Sequence, residues 1–259
     1  MDKKLTSYQE KALKQRLKIE WTYCSNAIEG NTISLGDTAF IIENGLTIKG
    51  KSIVEHTEIV GHARAVDLIY EMIEKDTIDK DDLFLLHRAV QTEFLIDSEC
   101  PIGSYKVQPN GRYVKMPDGK YQHYYYPQPN DIEYLMGLWF ESFGEIRELQ
   151  SFDECAELYT DMHIAFASIH PFFDGNGRLA RLIANIPLLK SGFLPIIISN
   201  DDREEYIELL SNYNLQAKEL ESTSVDLIEK NEAYNRVYTF FKDQYKNAQI
   251  LLDEIQGIR

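Results

Sequence analysis

The sequence predicts a mainly α protein, a helical bundle that carries one short β-hairpin. Apolar residues recur at steps of three and four over most of the 259 residues, which is the period of amphipathic helices. One stretch, residues 101–129, departs from that period, and its turn residues separate short tyrosine-rich runs. Hydrophobic residues make up 44% of the chain and charged residues 27%, a balance typical of a globular protein.

Several helices are predicted in the N-terminal third of the chain. The first has apolar residues at helical spacing and ends before Gly30, because glycine readily adopts the backbone conformation that closes a helix. Another is expected to begin behind an aspartate cap, either Asp79 or Asp81. The predicted helices of this region cover residues 5–28, 53–74 and 83–90.

The β-structure is predicted within the tyrosine-rich stretch. Asn110-Gly111 and Asp118-Gly119 are turn signals, because both dipeptides accept the positive φ that tight turns need. The short runs on either side of the second signal predict the two strands of a hairpin. These strands are expected over residues 113–116 and 121–126.

Helices resume after the hairpin. Ser151 and Glu154 form a capping-box pattern, which predicts the start of a helix that leads into a loop over residues 170–177. A second helix is expected to begin at Arg178, and Pro187 is expected to end or kink it. Further helices are predicted over residues 202–218 and 231–255.

The charge balance disfavours several classes of function. There are 27 basic and 42 acidic residues, a net charge of −15, and such a surface repels phosphate backbones and anionic lipids. Nucleic acid and membranes are therefore not expected as partners, nor is a DNA-binding domain. No apolar run reaches about 18 residues, and the charged N-terminal stretch is not typical of a signal peptide. Three scattered cysteines without metal-site spacing predict reduced thiols and a cytoplasmic location.

The segment that carries chemistry is HPFFDGNGRLAR, from His170 to Arg181. Gly175 and Gly177 permit positive φ and a close approach of the backbone to a ligand. Their N–H groups, with the first turn of the following helix, can bind an anion. Arg178 and Arg181 are three residues apart and share one face of that turn, so an anionic ligand with several charges would pair with both.

Two further residues of this segment supply reactive groups. Asp174 would repel phosphates unless a cation lies between, and Mg²⁺, or Mn²⁺ in its place, takes carboxylate and phosphate oxygens. His170 has an ordinary pKa near 6.5 and can accept a proton at neutral pH. A base, a metal ligand, an anion site and two arginines together fit phosphoryl or nucleotidyl transfer.

Each of these features has a structural interpretation when it is taken alone. A histidine at a helix end is more often a packing residue, DGNG is commonly a turn, and paired arginines usually face water. Their occurrence together within a dozen residues favours function. A transition-metal site of His163 and His170 is disfavoured, because neither HExxH nor a cysteine ligand accompanies them.

The segment matches every fixed position of the Fic family signature, HPFx(D/E)GNGRxxR, so the chain resembles Fic proteins. The sequence SNAIEG, which ends at Gly30, resembles the family's inhibitory motif (S/T)xxxE(G/N), and the hairpin resembles its target-docking flap. Residues 203–206, with Asn214, resemble the stretch that contacts adenosine. The resemblance covers about residues 25–214 and implies a Fic-type helical bundle with a short β-hairpin flap.

The resemblance also implies an activity, protein adenylyltransfer. His170 would deprotonate a Ser, Thr or Tyr hydroxyl of a target protein, and the oxygen would attack the α-phosphorus of ATP. Asp174 would hold Mg²⁺ against the α- and β-phosphates, Arg178 would contact the β-phosphate and Arg181 the γ-phosphate. The implied ATP-binding residues are Gly175, Asn176, Gly177, Arg178, Arg181, Tyr206 and Asn214.

Glu29 is expected in the last turn of the first helix, where the dipole disfavours a carboxylate by about 0.3–1 kcal/mol. It is either an exposed surface residue or the partner of an arginine. The resemblance implies that it pairs with Arg181, next to Ser25, and so keeps Arg181 from ATP. Glu29→Gly is then expected to raise AMP transfer, including transfer onto the protein itself. In some relatives this glutamate helps to remove AMP, so a de-AMPylating or bifunctional enzyme stays open.

The remaining expectations concern the flap and rival activities. Tyr113, Val114 and Lys115 are expected to bind an extended target segment by strand addition. Phosphate transfer is disfavoured, because that branch of the family carries a lysine at the position of Gly177. A non-catalytic ATP-binding interaction module is disfavoured by the intact His170 and Asp174. The oligomeric state stays open, a homo-oligomer included.

Three regions of the chain are expected. Residues 1–100 would form an N-terminal helical region, with the inhibitory helix at about 5–30. Residues 101–230 would form the Fic core with the flap and the catalytic loop, and residues 231–259 a C-terminal helix packed on that core.

Overall fold

The computed structural model describes residues 5–91, 98–115 and 119–257, except the side chain of Lys115. Within these ranges the protein is mainly helical and has one two-stranded antiparallel sheet, so the predicted fold class is confirmed. The helices are α1 (Ser7–Ile28), α2 (Leu35–Asn44), α3 (Ile53–Met72), α4 (Lys80–Val90), α5 (Pro129–Phe143), α6 (Phe152–Ile169), α7 (Asn176–Ile183), α8 (Ile186–Lys190), α9 (Arg203–Gln216) and α10 (Glu232–Gln256). The strands are β1 (Gly111–Lys115) and β2 (Tyr121–Tyr125).

Side-chain caps explain where several helices begin. At the start of α6, Ser151 accepts a hydrogen bond from the Glu154 N–H and Glu154 accepts one from the Ser151 N–H, which is the predicted capping box. Of the two aspartates considered for α4, Asp79 is the cap, because its side chain accepts a main-chain N–H of the first turn. α1 ends at Ile28, and Gly30 takes a φ of 99° beyond it.

The helix after the catalytic loop begins earlier than predicted. α7 begins at Asn176 rather than Arg178, so Gly177 lies inside the helix and has no positive φ. Gly175 is the N-cap, with a left-handed φ of 79° that glycine adopts without strain. α7 ends before Pro187, which has no N–H to continue the helical bonding and lies in the first turn of α8.

β1 and β2 form the predicted hairpin, with Gly111 opposite Tyr125 at one end and Lys115 opposite Tyr121 at the other. The prediction of a turn at Asn110-Gly111 is wrong, because Gly111 is the first residue of β1. A side chain there would collide with the main chain of β2, so this glycine permits a close strand approach rather than a turn.

The second predicted turn lies at the tip of the hairpin. Gly119 has a φ of 81°, while Met116 and Asp118 lie outside the described residues. Side chains alternate along β1, so Val114 is buried at 4% exposure whereas Tyr113 is 73% exposed. The hairpin therefore has one face against the protein and one aromatic face in solvent.

The core is built around α6, which packs against α5, α7, α8 and α10. Tyr159 and Phe166 of α6 are fully buried, and Phe241 of α10 packs on Tyr159. α1 packs against α3, α7 and α10, which brings the C-terminal end of α1 to the start of α7. No helix in the described ranges is both long and apolar enough to cross a membrane.

Candidate active site

A cavity of about 400 Å³ lies between the α6–α7 loop, the end of α1, the start of β1 and α9. The fold thus brings together residues from distant parts of the chain that the sequence marked as functional. Those lining the cavity are Glu29, His170, Asp174, Gly175, Asn176, Gly177, Arg178, Arg181, Tyr206 and Asn214.

His170 ends α6 in a conformation that is rare for its residue type. Its φ of 52° is left-handed, and no other non-glycine residue that the structure describes has a positive φ. This bend turns the imidazole toward the last turn of α6, where Nδ1 lies 3.2 Å from the Ala167 carbonyl oxygen. Because a carbonyl only accepts, Nδ1 carries the proton and Nε2 keeps its lone pair. The ring stacks on Tyr126 with 3.6 Å between centroids.

The surroundings keep this imidazole neutral. Burial lowers the pKa of His170 to about 3, and the positive charge of Lys106 contributes to the lowering. Lys106 is itself buried, donates from Nζ to Asn110 Oδ1 at 2.7 Å, and has a pKa that burial lowers to about 8. A neutral imidazole with an unprotonated Nε2 is the state that a general base needs at pH 7.

Hydrogen bonds to Phe172 and Asp174 hold the loop between α6 and α7. The Asn176 side chain accepts from the Phe172 N–H at 2.9 Å and donates to the Phe172 carbonyl at 2.8 Å. His87 Nε2 donates to the Asp174 carbonyl at 3.2 Å, because its Nδ1 accepts from the Gly103 N–H. The Asn176 side chain thus ties the start of α7 to the loop.

The N-terminus of α7 offers an anion site. The Leu179 N–H bonds the Gly175 carbonyl at 3.0 Å and is the first helical bond of α7. The N–H groups of Asn176, Gly177 and Arg178 therefore have no acceptor inside the helix. Together with the helix dipole, these groups favour an anion in the cavity.

Gln91 connects the two charged residues of the loop and α7. Its Nε2 donates to Asp174 Oδ2 at 2.8 Å, and its Oε1 accepts from Arg178 Nη2 at 3.1 Å. Burial alone would raise the pKa of Asp174, but hydrogen bonds from Gln91 and the Gly175 N–H, with the charge of Arg178, hold that pKa below its usual value. Asp174 is therefore charged at neutral pH, and 69% of its side chain is exposed to bind a cation.

Arg178 is buried and has only loose ion pairs, without a hydrogen bond to a carboxylate. Its guanidinium lies 3.6 Å from Glu58 and 3.8 Å from Asp174, both beyond hydrogen-bond distance. Nε and Nη1 are buried and have no hydrogen-bond partner in the part of the chain that the structure describes. An unpaired buried donor costs about 1–3 kcal/mol, so an anionic ligand in the cavity would be stabilised.

Arg181 is, by contrast, bonded within the protein through all three of its guanidinium nitrogens. Its Nη2 donates to Glu29 Oε1 at 2.6 Å and to the Ser25 carbonyl at 3.0 Å. Its Nε donates to Ser25 Oγ at 3.0 Å, and its Nη1 to the Tyr206 hydroxyl at 3.3 Å. Burial would lower the pKa of Arg181, but Glu29 and Tyr206 raise it above its usual value. The pairing of Glu29 and Ser25 with Arg181 is thus present in this structure.

Gly177 makes this pairing possible. A Cβ at Gly177 would lie 2.6 Å from Glu29 Oε1 and 3.2 Å from Arg181 Nη1. Any side chain there would displace the carboxylate. Gly177 thus lies against the Glu29 carboxylate, and its predicted close approach to a ligand stays a prediction.

The residues predicted to contact adenosine lie on α9. The Tyr206 hydroxyl donates to His163 Nε2 at 3.0 Å while it accepts from Arg181, so it positions Arg181. Burial lowers the pKa of His163 to about 3, which keeps its ring neutral. Asn214 Oδ1 accepts from Ser168 Oγ at 3.1 Å at the cavity wall.

The predicted flap residues lie on β1, beside rather than on the cavity wall. Tyr113 is exposed, Val114 is buried under the hairpin, and the side chain of Lys115 lies outside the described residues. The part of β1 that lines the cavity is Gly111 with Arg112. Binding of an extended target segment to β1 by strand addition stays a prediction.

Three residues of the site belong to no motif in the sequence. Gln91 comes from the end of α4, whereas Lys106 and Arg112 both come from the tyrosine-rich stretch. The one available hint was the basic character of Lys106 and Arg112 within an otherwise polar, tyrosine-rich stretch. Packing of α4 and the hairpin against the loop brings them together.

Comparison with known proteins agrees with this geometry. Residues 77–188 match the model of the Fic/DOC family. The chain is 36% identical over 195 residues to "Protein adenylyltransferase Fic" of Nematostella vectensis, covering 74% of this chain and 42% of that protein. It is 33% identical over 199 residues to "Protein adenylyltransferase fic-1" of Caenorhabditis elegans, covering 75% of this chain and 36% of that protein. The chain thus spans about two fifths of the length of the curated relatives it matches.

Solved structures share the fold. A Fic domain-containing signaling protein from Bacteroides thetaiotaomicron superposes with a TM-score of 0.78 at 22% identity, covering 98% of this chain and 92% of that one. Fic-1 from C. elegans superposes with a TM-score of 0.72 at 26% identity, covering all of this chain and 69% of that one. The catalytic loop, the family match and the shared architecture agree: the chain belongs to the Fic/DOC family.

Proposed function

We propose that this chain transfers AMP from ATP to a Ser, Thr or Tyr hydroxyl of a target protein, and that Glu29 restrains the transfer. The observation that carries the proposal is His170, a neutral imidazole that lines a cavity together with buried arginine donors that have no hydrogen-bond partner among the described residues. The names of the relatives, protein adenylyltransferases, support it.

The transfer starts at His170. Nε2 takes the proton of the target hydroxyl while the oxygen attacks the α-phosphorus of ATP. A bond forms from that oxygen to the α-phosphorus, the bond from the α-phosphorus to the bridging oxygen breaks, and pyrophosphate leaves. The hydrogen bond from Nδ1 to the Ala167 carbonyl holds the ring and stabilises the imidazolium that forms.

The phosphates would bind at the start of α7. The N–H groups of Asn176 and Gly177 and the donors of Arg178 supply positive charge there without reorganising. Catalysis of this kind depends on positioning and on electrostatic stabilisation rather than on covalent chemistry by the protein.

Asp174 is the residue that would hold Mg²⁺, or Mn²⁺ in its place. It fits the ion, because its carboxylate is charged, largely exposed, and oriented by Gln91 through one oxygen. A single carboxylate with phosphate oxygens and water is a common magnesium ligand set. When bound, the ion would neutralise part of the charge on the phosphates.

Glu29 would restrain the enzyme through Arg181. The 2.6 Å ion pair holds the guanidinium against the end of α1, and four of its five N–H groups donate within the protein, so Arg181 is held away from a γ-phosphate. The carboxylate itself, 42% exposed on the cavity side, would repel the triphosphate. ATP would then bind in a position unsuited to in-line attack.

The test uses ATP labelled at the α- or the γ-phosphate with the wild type, Glu29→Gly, Glu29→Gly/His170→Ala, and the surface control Glu43→Gly. We expect Glu29→Gly to place α-label on protein at a rate roughly tenfold or more above the wild type and the control. The substitution frees Arg181 from its charged partner, and an interaction of ~1.4 kcal/mol corresponds to a factor of ten in rate. Adding His170→Ala should lower incorporation by ~10²–10⁴-fold.

Other labelling patterns would contradict the proposal in distinct ways. Incorporation of γ-label would indicate a kinase, and ATP binding without either label would indicate an interaction module. Equal rates for wild type and Glu29→Gly would remove the restraint. Release of AMP from a modified target by the wild type, lost in Glu29→Gly, would indicate de-AMPylation.

A further inference from the structure

Arg112 lies beside the base and has no part in the function proposed above. It lines the cavity together with His170 and Tyr126. Along β1 it lies on the same face as buried Val114, because residues two apart in a strand share a face. Its guanidinium therefore reaches the cavity from the hairpin, whereas Arg178 reaches it from α7.

The guanidinium has donors without partners. Nε and Nη2 of Arg112 are buried, and neither has a hydrogen-bond partner among the residues that the structure describes. The Tyr124 ring supports the cation, with Cζ 5.9 Å from its centroid, and does so without using the N–H groups. Buried cationic donors favour a charged acceptor, since charge-assisted hydrogen bonds are the stronger kind.

The positive charge of Arg112 acts on the stacked pair at the catalytic centre. The pKa of His170 is lowered first by burial and by Lys106, and Arg112 also contributes. The pKa of Tyr126 is raised by burial, and Arg112 opposes that rise. These effects agree with the geometry, in which Arg112 of β1 lines the same cavity as the stacked pair.

The positions of Arg112 and Arg178 in the cavity indicate which phosphate of ATP each would contact. In the proposed reaction the attacked phosphorus must lie near Nε2 of His170, since that nitrogen takes the proton of the attacking hydroxyl. Arg178 and the N–H groups at the start of α7 are then available for the phosphates beyond it. A cation on the hairpin side of His170 would then contact the α-phosphate, whose oxygens carry the charge that develops during the transfer.

We propose that Arg112 contacts a non-bridging oxygen of the α-phosphate and stabilises it during transfer, as a catalytic residue supplied by the flap. The inference rests on the proposed function for the transfer step. It goes beyond that function in assigning a residue outside the signature segment to the reacting phosphate.

The first experiment needs no turnover. AMP, which carries the α-phosphate alone, and adenosine are titrated calorimetrically into Glu29→Gly and into the same protein with Arg112→Gln, Arg112→Lys or Arg236→Gln, an exposed arginine of α10. We expect Arg112→Gln to weaken AMP binding roughly tenfold, Arg112→Lys to weaken it less, and adenosine binding to stay unchanged. Unchanged AMP binding in Arg112→Gln overturns the inference, and so does an equal loss for adenosine.

The second experiment follows the transfer itself. The Rp and Sp isomers of ATP with sulfur at the α-phosphate are compared in the Glu29→Gly parent and in Arg112→Gln, at one Mg²⁺ concentration. Arg112→Gln should lower kcat by about 100-fold with normal ATP and change the Rp/Sp ratio, because sulfur is the poorer acceptor. An unchanged ratio would mean that Arg112 acts elsewhere. A parent without any transfer would contradict the proposed function, while the AMP titration would still decide the role of Arg112.

Discussion

Arg178 and Arg181 lie three residues apart on α7 and differ in almost every interaction. Arg181 donates four hydrogen bonds to Glu29, Ser25 and Tyr206. Arg178 donates one hydrogen bond, to Gln91, and two of its buried nitrogens have no hydrogen-bond partner among the described residues. Both side chains are buried to a similar degree, 4% and 3% exposed, so burial does not explain the difference.

The wall of the cavity at Arg181 is closed by the protein, whereas the wall at Arg178 is open, with buried donors that have no hydrogen-bond partner among the described residues. Ser25 and Glu29, at the end of α1, supply Arg181 with acceptors and a charge, whereas Gln91, just after α4, supplies Arg178 with an amide and Glu58 lies 3.6 Å away. Under the proposed function, restraint and binding can be separated, because each depends on a different arginine.

The largest expected effect is on folding and concerns the closed wall. Arg181→Met should lower the free energy of unfolding by roughly 2–3 kcal/mol, because it leaves Ser25 and Tyr206 without their donor while the half-exposed Glu29 can turn to water. Arg178→Met should cost under about 1 kcal/mol and instead weaken ATP binding ~10-fold or more. Urea unfolding and ATP titration measure the two effects.

Arg64→Met, an exposed arginine on α3, is the matched control and should change neither quantity. If Arg178→Met destabilised the fold as much as Arg181→Met, the open wall would be a structural contact. If Arg178→Met left ATP binding intact, that wall would not be the phosphate site.

A smaller effect is expected at the open wall. Gln91→Leu removes both hydrogen bonds that orient Asp174 and Arg178 while keeping a similar volume. We expect ATP affinity at fixed Mg²⁺ to fall about five- to tenfold, and the Mg²⁺ concentration for half-maximal binding to rise. The exposed Gln150→Leu should behave like the parent. A loss of affinity that is independent of Mg²⁺ would mean that Gln91 acts only through Arg178 and not through Asp174.

The smallest expected effect is on the pH profile of transfer. A general base works in its neutral form, so activity is lost as the pH falls through the pKa of the base. Burial lowers the pKa of His170 from 6.5 to about 3. The acidic limb of kcat/KM for Glu29→Gly should therefore lie well below pH 6.5. Lys106→Met should move this limb to higher pH, because it removes a positive charge that disfavours the imidazolium. A limb at or above pH 6.5 in the parent would contradict this assignment.

Features encoded within one turn of chain were predictable. The Ser151 capping box depends on a neighbour three residues away, and the cap of α4 was narrowed to Asp79 or Asp81, of which the structure has Asp79. The start of α7 was expected two residues too late, although Asn176 bonds both main-chain groups of Phe172 only four residues away. The turn expected at Asn110-Gly111 was wrong because β2 packs where a Gly111 side chain would be, which depends on strand pairing rather than on neighbours in the chain.

By itself, the sequence determined the residues of the catalytic loop, the positions of most helix ends and the presence of the hairpin, because local backbone preferences act between neighbours. Only the tertiary structure decided which protonated form His170 adopts, that Glu29 lies 2.6 Å from an arginine 152 residues away, and that Gln91 and Arg112 belong to the site. Those properties depend on which surfaces pack together, and close packing between distant elements leaves no periodic trace in the chain.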